Sequence, residues 1–181
     1  FVRFLNDEPT MVGPAHPQIR RIGRRYVPAS GQARRPVAWV SHQDARAYCR
    51  WLSRVSGLPA RLPSAAEREY SSRCCRDAVR YPWGWGDARA RANVDGAGPA
   101  PVGSYPASPW GVSDMAGNLA EWCASSDAEA TVHGGSWADR TPEAWAVYAS
   151  TSLPAVYRDG DVGFRVAVGA PSPAPGTVDH E

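Results

Sequence analysis

Apolar positions in this chain fall into a few short, well-bounded patterns separated by long turn-rich stretches. The clearest is "VSHQDARAYCRWLSRVSG". Ala45, Tyr48, Cys49 and Leu52 recur at helical spacing, while Arg46, Arg50 and Arg54 share the opposite, wet face. Ser41 and Asp44 form a capping box, and Gly57 supplies the stop. A second helix is predicted within "RLPSAAEREYSSRC", with Ser64 and Glu67 as its box. Both helices are short and amphipathic, so each needs a sheet or another packed layer to cover it. "FVRFLN" puts Phe1, Phe4 and Leu5 at helical spacing with no capping residue before them. The chain therefore reads as starting inside an element, with an upstream piece expected.

From Asn6 to Arg35 the sequence reads as a Pro-, Gly- and Arg-rich loop with one short strand at "RRYVPA". Beyond Cys75 come "YPWGWGD", "ANVDGAG", "PVGSYPASPWG" and "DMAGNLAEW", turn-dense and studded with aromatics. The last strong pattern is "DVGFRVAV". There Val162, Phe164, Val166 and Val168 alternate with Gly163, Arg165 and Ala167, which predicts one half-buried strand. Ala170 to Glu181 reads as a Pro-rich tail or linker, leaving residues 1–169 as one domain. The expected class is α+β and loop-rich, two helices with strands between long turns.

Composition sharpens this. The 181 residues include 17 Gly, 17 Pro and 8 Trp against 3 Phe. Glycine and proline at that density exclude a fold of long helices, so tryptophans are expected to anchor the core, each needing a partner for its indole N–H. A net charge of +2, with arginines scattered as well as grouped, is not the concentrated positive face of a nucleic-acid binder. No apolar run reaches the length of a membrane span and no signal peptide is visible. The 4 cysteines are too few and too irregular for a disulfide framework or a zinc site. Cys49 is expected as a buried thiol, and a reducing, cytoplasmic compartment is the expectation.

The ordered series "PVAWVSHQDARAYCRWLS", "ARLPSAAEREYSSR", "YPWG", "AN", "PVGSYPASPWGVSDMAGNLAEW", "HGGSW" and "GFRV" resembles the formylglycine-generating enzyme, or sulfatase-modifying factor, family. The resemblance runs from about Pro36 to Val168. It implies a C-type lectin-like fold, with two helices flanking small antiparallel sheets. "FVRFLN" looks like the end of the family's "VTNxQFxxFL" element, its first strand then missing. The family includes formylglycine-generating oxidases, sulfoxide synthases of ergothioneine biosynthesis, and ligand-binding proteins such as the variable proteins of diversity-generating retroelements.

Particular side chains separate these branches. The oxidases bind copper(I) through two cysteines after the Gly-Gly-Ser-aromatic turn, soft donors for a soft ion. Those positions fall here on Asp139 and Ala144, so the resemblance implies no copper and a lost oxidase centre. A sulfoxide synthase needs a histidine triad, and this chain has only His16, His42, His133 and His180, with no H-x-x-x-E-H run. His42 stands where the family usually has Trp and is expected at the surface or the helix cap. No G-x-S-x-G elbow occurs, and Ser136 belongs to the turn.

What the resemblance leaves is a display surface. Its expected ligand-contacting residues are Trp137, Ala138, Asp139, Arg140, Thr141, Ala144, Ala146, Tyr148, Ser150, Ser152 and Tyr157. Rigid tyrosine and adaptable hydroxyls make a mixture like that of antibody loops, suited to a protein ligand. Between residues 138 and 159 only Glu143 and Trp145 lie outside the set reachable by adenine-directed diversification, while Gly134 to Trp137 and Gly163 to Arg165 would be the fixed frame. Structural calcium is implied at two places: Asn93 with the Val94 carbonyl, completed by Asp95, and Asp114 with Glu121 and the carbonyls of Gly117 and Leu119. The alternatives are a divergent oxidoreductase or sulfatase-modifying accessory, and a structural module of a larger polypeptide or complex.

Overall fold

The computed structural model describes residues 1–9, 16–76, 78–125 and 128–169. The Pro-rich segment 170–181 lies outside the described residues. "FVRFLN" does form a helix, α1 (Val2–Asp7), with no side-chain cap at its start. A hairpin stands where the pattern predicts one strand: β1 (Ile19–Ile22) pairs antiparallel with β2 (Arg25–Pro28). Arg20 and Arg21 are adjacent, so β1 shows no apolar alternation and is hidden from a hydrophobic pattern. Asn6 on α1 holds the outer edge of β2, its Oδ1 accepting from Tyr26 N–H and its Nδ2 donating to Tyr26 C=O.

Helix α2 (His42–Ser56) has the predicted box in both directions and ends on Gly57 in the left-handed region. Its buried residues include Ala45, Cys49 and Trp51, and its three arginines face water as expected. His42 is a correction: it is fully buried, its Nε2 donating to the Cys123 carbonyl, 3.0 Å, against the ring of Trp122. Helix α3 (Ala65–Arg73) carries the second box at Ser64 and Glu67. Between the helices, β3 (Ala60–Arg61) pairs with β8 (Ala167–Val168) near the chain's other end.

The central sheet has the order β6-β5-β4-β7. Its strands are β4 (Ala120–Trp122), β5 (Glu129–His133), β6 (Ser150–Pro154) and β7 (Val162–Phe164). The expected antiparallel pairing holds for β4–β5 and β5–β6, but β4 and β7 run parallel. "DVGFRVAV" is thus not one strand. Arg165 turns inward to reach Glu121, and the chain leaves the central sheet to pair with β3. That break rests on a long-range ion pair no local pattern encodes.

Trp122, wholly buried, sits at the centre of the core with Cys49, Leu62, Val132 and Val162 around it. Its indole N–H reaches the Val40 carbonyl, that of Trp51 reaches Asp7, and that of Trp137 reaches Gly160 C=O. The same rule fails at Trp83 and Trp145, whose buried indole nitrogens have no partner among the described residues.

Candidate functional site

Below the Gly-Gly-Ser-Trp turn lies an open cleft of about 410 Å³. Its floor is small and apolar: Ala120 from β4, Val132 from β5 and Val162 from β7. The turn itself has little freedom. Gly135 has φ +62°, and a Cβ there would come within 2.5 Å of the Ala144 carbonyl. Asp139 closes the turn, one carboxylate oxygen accepting from Ser136 N–H (2.7 Å) and Ser136 Oγ (2.9 Å). A short 3-10 helix (Pro142–Trp145) comes next in the chain, and β6 forms the far wall.

Six of the sequence-predicted contact residues line this cleft: Asp139, Thr141, Ala144, Tyr148, Ser150 and Tyr157. Ala138, Arg140 and Ser152 are exposed outside its lining. Trp137 is half-buried and braces the loop before β7 through its bond to Gly160. Ala146 is a correction. At 0% exposure it cannot touch a ligand, and it packs inward beside Trp145 and Val147. Pattern reading misses the floor because Ala120, Val132 and Val162 look like ordinary core. It misses Leu153 because Ser150, Thr151 and Leu153 all border the cleft, so no period-two rule picks it out. Asp161 is missed too, although it directly precedes "VGFRV".

The cleft is acidic. The Asp161 carboxyl lines it with a buried Oδ1 that has no partner among the described residues. Burial, then the neighbouring Asp159 and Asp139, push its pKa above the ordinary carboxylate value. Tyr157 donates to Asp159, 3.2 Å, and burial with the nearby carboxylates raises its phenol pKa. Glu143 at the rim accepts from Arg80.

Among the described residues no cysteine lines the cleft. Cys49 and Cys123 belong to the buried interior, where burial pushes their thiols up to about 11 and about 12. Both are protonated at neutral pH, whereas metal binding and nucleophilic attack need the thiolate. Asp139 and Ala144 do stand in the cleft wall, one spent on the turn and the other without a donor atom.

The residues read as calcium ligands are arranged as an ion-pair network instead. Both carboxylate oxygens of Glu121 are taken by guanidiniums, Arg68 at 2.6 Å and Arg165 at 2.6 and 2.7 Å. Burial alone would raise the Glu121 pKa, but the two arginines outweigh it and hold the carboxylate ionised. Arg165 also donates to the carbonyls of Ser113 and Asp114, so a cation already occupies this corner in side-chain form. Asp114 accepts from Gly103 N–H, and Gly117 and Leu119 lie in the loop between. A calcium ion on this set would be repelled by Arg165, and the residues do not fit it. At the other site Asn93 donates to Gly98 C=O and Asn118 Oδ1, Val94 is buried in the core, and Asp95 turns to Arg89. That set also lacks a free carboxylate.

The short helices, the small mixed sheet and the long loops over one open cleft define a C-type lectin-like fold. The chain belongs to the sulfatase-modifying factor enzyme 1-like family, whose profile matches residues 1–170. An inactive C-alpha-formylglycine-generating enzyme 2 from Bos taurus is 32% identical over 162 residues, 76% of this chain. The match takes in 52% of that relative's own length and as little as 16% of other curated relatives'. Among solved structures, PvdO from Pseudomonas aeruginosa superposes with a TM-score of 0.76 at 26% identity, over 93% of this chain and 75% of its own. Treponema denticola variable protein 1 shares the fold at a TM-score of 0.69 and 21% identity, over 91% of this chain and 80% of its own.

Proposed function

We propose that this domain is a non-catalytic member of the family that binds a protein ligand in and around the cleft under the Gly-Gly-Ser-Trp turn. The observation that carries the reading is the cleft wall. Where the oxidases of the resemblance place two thiolates, this chain has a carboxylate committed to Ser136 and a methyl group. Around them stand groups suited to recognition: Thr141, Tyr148, Ser150, Thr151 and Tyr157. Tyr148 is 54% exposed, a rigid amphipathic contact surface ready for a partner. The domain acts as a module of a larger polypeptide or complex, in keeping with the small share of its relatives' length that it matches.

Copper titration coupled to an oxygen electrode tests the loss of catalysis. The expected result is no tight copper(I) binding and no oxygen consumption with cysteine-containing peptides, and turnover would restore the oxidoreductase reading. Binding is tested by selecting displayed peptides against the domain and repeating the measurement with Tyr148→Ala and Ser150→Tyr. Both changes are expected to abolish capture without moving the melting temperature, since both side chains are exposed.

A finer reading is that the cleft wall is diversified by a retroelement. It is favoured by the exposure of Ala138, Arg140, Thr141, Tyr148, Ser150 and Ser152 between buried frame residues at Gly134, Ser136 and Gly163. A near-copy of the codons for residues 134–165, differing only at adenines and lying beside a reverse transcriptase, is the expected genomic signature.

A further inference from the structure

Far along the chain from the cleft-forming segment, the β1–β2 hairpin carries a charge pattern that no part of the cleft explains. Between Pro9 and Gln43 there is not one acidic residue, yet six arginines occur there: Arg20, Arg21, Arg24, Arg25, Arg34 and Arg35. Among the described residues none of the six pairs with a carboxylate, whereas arginines elsewhere mostly do, as at Arg54, Arg61, Arg73 and Arg158.

The register sorts these side chains into faces. Ile22 pairs with Arg25 and Arg20 with Val27, and cross-strand partners share a face. Tyr26 and Ile19, on the other face, pack with Phe4, Leu5 and Trp51. The face turned to solvent is therefore Arg20, Ile22, Arg25 and Val27, with Arg24 at the turn. Ile22 is 60% exposed, unusual for a side chain of its kind. The hairpin is held firmly, by Asn6 on its β2 edge and by Gln18 at its base. Gln18 donates to Pro36 C=O (2.9 Å) and accepts from Ala38 N–H (2.7 Å). A rigid ribbon with guanidiniums flanking aliphatic side chains loses little freedom on binding.

We propose that the outer face of the β1–β2 hairpin docks an extended acidic segment of a partner protein in which apolar side chains alternate with carboxylates. Charge complementarity selects the sign, since arginine pairs bidentately with carboxylates. Ile22 and Val27 select the apolar component, and a strand-shaped face fits an extended segment. Single-stranded nucleic acid would need aromatic stacking platforms, and the one aromatic of the hairpin, Tyr26, is on the inner face. An anionic membrane would call for a larger apolar face with Trp or Phe at its centre.

The test uses the full chain and a fluorescently labelled peptide of alternating Glu and Val, measured by anisotropy beside polyglutamate, a DNA duplex and phosphatidylserine vesicles. The alternating peptide is expected to bind best, with affinity falling as salt is raised. Arg20→Glu with Arg25→Glu should weaken it roughly tenfold or more, and Ile22→Ser, which leaves the charge intact, by about threefold. Melting curves of both variants should match the parent. Should the charge reversal unsettle the hairpin, Arg20→Gln with Arg25→Gln carries the same reading. Equal binding by parent and charge-changed protein would overturn the proposal. So would tighter binding to DNA or vesicles, polyglutamate binding as well as the alternating peptide, or indifference to Ile22→Ser.

Discussion

Glu121 lies between Arg68 and Arg165 in a part of the core almost closed to water, with the Arg68 side chain only 2% exposed. The intact network adds little net energy, yet breaking it is expensive. Removing the carboxylate strands a buried guanidinium, and the cost of that charge exceeds the net worth of the pair. Glu121→Ala is expected to lower stability by about 3–5 kcal/mol in urea denaturation. Replacing the whole triad with apolar side chains, Arg68→Met and Arg165→Met with Glu121→Leu, should recover a large part of that loss. His133 sits beside the network with its Nδ1 buried and without a partner among the described residues. Burial first, then Arg68, lowers its pKa.

At the scale of elements, the two capped helices are legible because a capping box is written in four neighbouring residues and needs nothing from the rest of the chain. Ser41 with Asp44 and Ser64 with Glu67 do what their spacing predicts. The hairpin is half-legible, since Arg21 shares the inner face with Ile19 and Tyr26 while Ile22 faces outward, which removes the apolar alternation that marks a strand. The break after Phe164 is not legible, because it answers to Glu121, far off in sequence. Of the cleft, the turn and part of the rim can be read, whereas its floor consists of residues indistinguishable from core until a cavity is seen above them. Asp44 ties two of these levels together. Besides capping α2 it accepts from Arg158 at 2.8 Å, and so fastens the loop before β7 to the helix. Asp44→Ala should cost about 1–2 kcal/mol. It should also speed amide exchange at residues 155–160, and exchange confined to the helix start would contradict that second role.

For the whole molecule, three histidines from separate regions, His16, His42 and His133, have pKa values lowered by burial from the ordinary 6.5. Below that value the unfolded chain takes up protons that the folded one refuses, so stability is full above about pH 6.5 and declines as pH falls. Glu121, also held low, extends the decline below about pH 4.5. The melting temperature should thus drop steadily on acidification from neutrality, and His133→Asn should flatten the first part of the curve. Calcium is expected to leave the melting temperature unchanged, as is a chelator, because Arg165 fills the corner where the ion would sit. A calcium-dependent rise would return Asp114 and Glu121 to the role the sequence suggested. Finally, the inward-facing Ala146 sets a rule for anyone wishing to reshape this surface. A combinatorial library that randomises the outward positions from 138 to 152 but spares 145–147 should yield mostly folded members. One that also varies 146 should fill with aggregates, because any larger side chain must force its way into a space already taken.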